Sequence, residues 1–137
     1  MTAARGSVRR QVTIARPPDE VWAVVGDPAR LAEWFPGIVS ATVEGDQRTI
    51  VTGSGIPMPE RILTVDPLQR RFQYRVTSSL FREHLGTIDV LALEDGSSLV
   101  VYGTDADPAV MALVIAGAAG TGLRTLKQRM ESSPEET

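Results

Sequence analysis

Hydrophobic and polar residues alternate along Val8 to Ala15, with Val12 and Ile14 on one face and Gln11 and Thr13 on the other, the period of a strand. Pro17-Pro18-Asp19-Glu20 then pre-sets a helical first turn with acids suited to its dipole, and Val21 and Val25 share a face four residues apart. Gly26 is expected to end that helix. Asp27-Pro28 predicts a second one, capped by Asp27, with Leu31, Trp34 and Phe35 at helical spacing until Pro36-Gly37. From Ile38 the punctuation changes to that of strands. Ile38–Val43 ends at Gly45-Asp46, Ile50 and Val51 belong to the next strand, and Gly53 through Pro59 interrupts before Arg61–Val65 resumes. Phe72, Tyr74 and Val76 alternate with Arg71, Gln73 and Arg75, a half-buried strand. His84, Gly86, Ile88, Val90 and Ala92 share one parity, Asp95-Gly96 signals a hairpin, and Leu99–Thr104 forms the last strand.

Asp107-Pro108 repeats the earlier device, so Asp107 is expected to cap an apolar helix running to about Met130, roughly 35 Å long. The order is one strand, two short helices, six strands and a long helix. Segregation of this kind predicts an α+β fold in which a seven-stranded curved antiparallel sheet wraps the C-terminal helix. One domain over residues 8–131 is expected, with residues 1–7 and 132–137 as flexible tails.

Bulk chemistry narrows the function. With 137 residues, 42% hydrophobic and 23% charged, the chain can bury a core, and a net charge of -3 argues against a nucleic-acid partner. No cysteine and a single histidine exclude thiolate chemistry and multi-histidine metal sites, so neither a metal nor another cofactor is expected. The most membrane-like run, Pro108 to Leu123, holds sixteen residues with three glycines. That falls short of the ~20 needed to span a bilayer, so no integral membrane segment is expected and the cytoplasm is the expected compartment. A homodimer is compatible with this reading.

The helix carries Gly117, Ala118, Ala119, Gly120, Thr121 and Gly122 in its middle. Each glycine costs a helix about 1 kcal/mol against alanine, so three close together need a reason. Either they clear volume for a guest molecule, or they let a neighbouring element approach closely. The first reading predicts an internal cavity for a small hydrophobic ligand.

The element order, Pro17-Pro18-Asp19-Glu20-Val21-Trp22 and Trp34-Phe35-Pro36-Gly37 together resemble the helix-grip superfamily, also called SRPBCC or START-like, over about Val8 to Met130. It includes polyketide cyclase/dehydrase-like proteins and the plant abscisic-acid receptors. Ser54-Gly55-Ile56-Pro57 followed by Glu60-Arg61-Ile62 is similar to the receptors' ligand-gating loop and the strand after it. That likeness implies a polar pocket role for Glu60. It matches His84 to an inward tyrosine, Tyr102 to an inward acid and Phe35 to a ligand-anchoring lysine, which implies shared pocket architecture with a different ligand.

Alternation alone leaves Glu60 two faces: with Ile62 and Thr64 toward a cavity, or outward and paired on the surface. His84 is either an inward imidazole or a half-solvated strand-end residue. Ligand contacts are expected from Phe35, Ile56, Met58, Glu60, Ile62, Tyr74, His84, Ile88, Tyr102, Met111, Ile115, Ala118 and Gly122, and Glu60 and His84 are the acid–base candidates. Three functions compete. The chain is a carrier or receptor for a lipid, polyketide, isoprenoid or aromatic metabolite. Alternatively it is a cyclase, aromatase or dehydratase using Glu60 or His84 for proton transfer, or an interaction module presenting Ser54–Pro59. Absence of a nucleophile constellation favours the first.

Overall fold

The computed structural model describes residues 4–132. Seven strands form one antiparallel sheet in the order β1-β7-β6-β5-β4-β3-β2. They are β1 (Gly6–Ile14), β2 (Ile38–Glu44), β3 (Gln47–Thr52), β4 (Pro57–Asp66), β5 (Arg71–Val76), β6 (Glu83–Ala92) and β7 (Ser98–Asp107). Helix α1 (Pro18–Val25) and a 3₁₀ helix (Pro28–Glu33) follow β1, and α2 (Ala109–Ser132) closes the chain. This is the α+β helix-grip architecture, with the sheet open rather than closed on itself.

Local chemistry explains most boundaries. Asp27 accepts from the Ala29 N–H at 3.0 Å and Pro28 opens the second short helix, which is 3₁₀ and ends at Glu33, short of the Pro36-Gly37 stop expected. Val21 and Val25 bury the inner stripe of α1 against the core. The strand faces sort as alternation requires. Phe72, Tyr74 and Val76 on β5, His84, Ile88 and Val90 on β6, and Val100 and Tyr102 on β7 are all buried on the helix side.

Several expectations need correcting. Strand β1 begins at Gly6, which pairs with Ala106, so Gly6 and Ser7 are ladder residues and not tail. Residues 1–3 and 133–137 of the expected tails lie outside the described residues, while Ser132 still belongs to α2. Pro57 and Pro59, expected in a loop, lie in β4 opposite Val51 and Thr49. Prolines are tolerated there because the Pro59 carbonyl faces the β5 side, where it accepts from the Thr77 N–H at 3.1 Å. Its missing N–H therefore also points away from β3. A bulge between Ile62 and Thr64 breaks the parity of β4. It turns Thr64 to the outer face, where its hydroxyl donates to Gln73 Oε1 at 2.9 Å. Asp107 ends β7, and its carboxylate accepts from Arg82 Nη2 at 2.7 Å.

Helix α2 runs to Ser132, two residues past the expected end at about Met130. At 24 residues with a mean hydropathy of 1.6 over its most apolar window, it passes for a membrane-crossing helix by length and composition. In this fold it is the core helix. It packs on β1 and β7, burying Ala112, Ala116, Ala119, Leu123 and Leu126, sets Gly122 against Trp34 and Pro36, and leaves Val110, Leu113 and Val114 exposed.

Candidate functional site

Because α2 lies over β1 and β7, the sheet's other half is roofed differently. A cavity of about 410 Å³ opens there. Its floor is Ile50 and Thr52 from β3, Met58 and Glu60 from β4, Tyr74 and Val76 from β5 and Tyr102 from β7. Leu31, Phe35 and Pro36 roof it from the 3₁₀ helix and the turn after it, with Ile38 at the start of β2. Helix α2 contributes Ile115 alone. Apart from Thr52, the polar side chains of this wall are Glu60 and the two tyrosines.

Glu60 is 4% exposed, and its Oε1 accepts from Arg48 Nε at 2.6 Å. Burial raises its carboxyl above the ordinary carboxylate range, and the Arg48 guanidinium pulls it part of the way back. Arg48 is 1% exposed and does not line the cavity. It donates from Nη1 to the Pro28 carbonyl at 3.1 Å, and its guanidinium lies 5.3 Å from the Phe72 ring centre and 5.0 Å from that of Tyr74. Among the described residues Nη2 has no hydrogen-bond partner, and the two ring faces supply cation–π attraction to the guanidinium instead. Arg48 and Glu60 form a buried salt bridge whose carboxylate end sits in an otherwise apolar wall.

The two tyrosines come from strands that are not neighbours. Their hydroxyls are hydrogen-bonded to one another. They meet across β6 because the residue between them is Gly86, which pairs with Tyr74. A Cβ at Gly86 would stand 2.4 Å from Tyr74 Cε1, so the ring lies where a side chain would otherwise be. Burial raises both phenols above their ordinary range, which keeps them protonated. Phe35 and Trp34 pack on Tyr102 with ring centres 6.1 Å away, fixing its tilt from the roof side.

Of the residues expected to contact a ligand, Phe35, Met58, Glu60, Tyr74, Tyr102 and Ile115 line the cavity; Ile56, Ile62, His84, Ile88, Met111, Ala118 and Gly122 do not. Ile56 is 61% exposed on the loop, and Ile62 and Ile88 are packed with the core. His84 is buried, but its Nδ1 accepts from the Val76 N–H at 3.0 Å, bridging β5 and β6 beyond their last paired residues. It lines a separate cleft with Phe81, Arg82 and Leu85. Glu60 and His84 therefore do not form an acid–base pair at the cavity wall. Met111 and Ala118 fall on turns of α2 that the cavity does not reach.

The helix glycines do not make the cavity. A Cβ on Gly122 would stand 3.3 Å from Trp34 and Pro36, one on Gly120 would stand 3.6 Å from the Arg10 stem, and Gly117 meets nothing within 4 Å. Gly122 permits close packing, a Cβ at Gly120 would meet the Arg10 stem only at ordinary contact distance, and Gly117 is exposed. Sequence reasoning missed Arg48. The signal was there, since Arg48 shares the inward parity of Ile50 on β3.

Among known proteins, the family described as polyketide cyclase/dehydrase and lipid transport matches residues 5–131. No curated protein matches the sequence. Solved structures share the fold. The protein XoxI from Bacillus cereus superposes with a TM-score of 0.84 at 23% identity, covering 93% of this chain and 96% of that one. A protein from Thermobifida fusca gives 0.74 at 25% identity, with 90% and 92% covered. The di-domain aromatase/cyclase BexL from the BE-7585A biosynthetic pathway gives 0.78 at 22% identity; 94% of this chain aligns to 48% of that longer chain.

Proposed function

We propose, from the premise that the chain belongs to the polyketide cyclase/dehydrase and lipid transport family, that it is a cytoplasmic carrier or receptor for one small, mostly apolar molecule. The observation that carries this reading is the cavity of about 410 Å³ with an apolar wall and one polar cluster. That is the usual make-up of a small-molecule site, where apolar walls supply affinity and a few polar atoms set orientation. The family supports either hydrophobic-ligand binding or a cyclase role. Binding is favoured because Glu60 is tied to Arg48, His84 lies off the cavity, and the two phenols are held protonated by burial and bonded to one another.

A neutral apolar fluorophore, N-phenyl-1-naphthylamine, tests this. Its emission should rise on binding the wild-type chain, and Met58→Trp, which adds bulk to the β4 wall, should weaken that binding at least tenfold. Probe binding unaffected by Met58→Trp would put the ligand site elsewhere. Absence of any binding would sink the carrier reading.

A further inference from the structure

We propose that the molecule held in this cavity carries one neutral hydroxyl, alcohol or phenol, on its apolar frame, and that free carboxylic acids are rejected. The inference rests on the carrier reading and deepens it.

Hydrogen-bond capacity at the polar cluster decides the point. In the bond between Tyr74 and Tyr102 one hydroxyl donates and the other accepts, so the acceptor keeps its own O–H. Neither hydroxyl has a second partner among the described residues. Glu60 uses Oε1 for Arg48, and Oε2 has no partner among the described residues. Glu60 pairs with Val76 and Ile62 with Tyr74, so Glu60 and Tyr74 are diagonal neighbours on the same face of adjacent strands. The cluster therefore presents one donor and one acceptor a short distance apart. A hydroxyl satisfies both, donating to Glu60 and accepting from the tyrosine. A ketone or ether satisfies the tyrosine alone, and a hydrocarbon leaves both groups buried without partners.

Charge excludes the acids. The cation that balances Glu60 is Arg48, which stands outside the cavity lining, so its unpartnered Nη2 is buried behind the wall rather than presented to a ligand. A ligand carboxylate would meet a second carboxylate in an apolar enclosure with no cation of its own, which is costly at low dielectric. A cationic ligand faces the mirror problem, since the carboxylate is already neutralised.

Three probes on one skeleton separate these cases near neutral pH: 2-naphthol, naphthalene and 2-naphthoate, titrated calorimetrically. The hydroxyl compound should bind at least about tenfold tighter than either of the others, since one of its two hydrogen bonds goes to the Glu60 carboxylate. Replacing both donors, Tyr74→Phe with Tyr102→Phe, should cut the advantage of 2-naphthol over naphthalene severalfold, and a thermal midpoint measured on the same sample separates lost hydrogen bonds from lost folding. In Glu60→Gln the wall loses its negative charge and 2-naphthoate should gain affinity. Equal binding of the three probes, or tightest binding by 2-naphthoate, overturns the proposal, while their loss in Met58→Trp would keep the carrier reading intact. If no probe binds, N-phenyl-1-naphthylamine included, both fall together.

Discussion

His84 carries an uncompensated polar atom in the sheet. Its Nε2 is buried without a hydrogen-bond partner among the described residues, while Nδ1 accepts from the Val76 N–H. Burial pushes its pKa from 6.5 down to about 4, against a small opposing pull from Asp105. The folded chain therefore binds fewer protons here than the unfolded chain between those values. The neutral imidazole's contribution is fully present above pH 6.5 and is lost as pH falls through about 4, a loss of roughly 3 kcal/mol at most. His84→Gln removes the titration. Urea unfolding of both proteins at neutral pH and near pH 4.5 should show the variant losing about 2 kcal/mol less on acidification; parallel losses would mean that His84 is solvated. At this same scale the alternation placed Tyr74 and Tyr102 correctly but left Glu60 undecided. What settles Glu60 is Arg48, twelve residues away. A buried carboxylate is tolerable only with a partner, and strand parity says which face a residue takes but not what meets it.

Strand pairing supplies what single residues could not. The tyrosine pair depends on β5, β6 and β7 lying side by side with a glycine on the middle one, a relation set by register and invisible to a reading along the chain. Likewise, the bulge in β4 reverses the expected parity of Thr64, and nothing in Ile62-Leu63-Thr64 announces it. Two prolines hid the start of β4, because the side of the strand facing β5 there needs no N–H. Gly86 is thus a positioning residue. Gly86→Ala puts a methyl 2.4 Å from the Tyr74 ring, which must shift and strain its bond to Tyr102, an overpacking cost of about 1–3 kcal/mol. Gly103→Ala on the next strand meets only the Arg9 stem at 3.6 Å and should cost little. Denaturation midpoints compare the two, and 2-naphthol affinity should fall in Gly86→Ala only. Equal effects would mean that the Tyr74 ring has another place to go.

The cavity belongs to the arrangement of layers and not to any one element. The helix-grip outline was readable because patterning, turn residues and element order all agree on it. The cause of the hollow was not. Small residues in α2 suggested that the helix itself makes room, yet they press it against β1, Trp34 and Pro36. By seating α2 closely over β1 and β7, they leave β3, β4 and β5 to be roofed by the short 3₁₀ helix and its following turn, which span the gap without filling it. This account makes opposite predictions for two kinds of added bulk. Gly117→Leu on the exposed face should leave N-phenyl-1-naphthylamine affinity within twofold of wild type, since its Cβ meets nothing within 4 Å. Gly122→Leu should force α2 off Trp34 and Pro36, lowering stability and altering the roof, so that any change in affinity scales with loss of folding. If Gly117→Leu emptied the cavity while the fold held, the helix middle would have to face the ligand after all, and the offset of α2 would no longer explain the space.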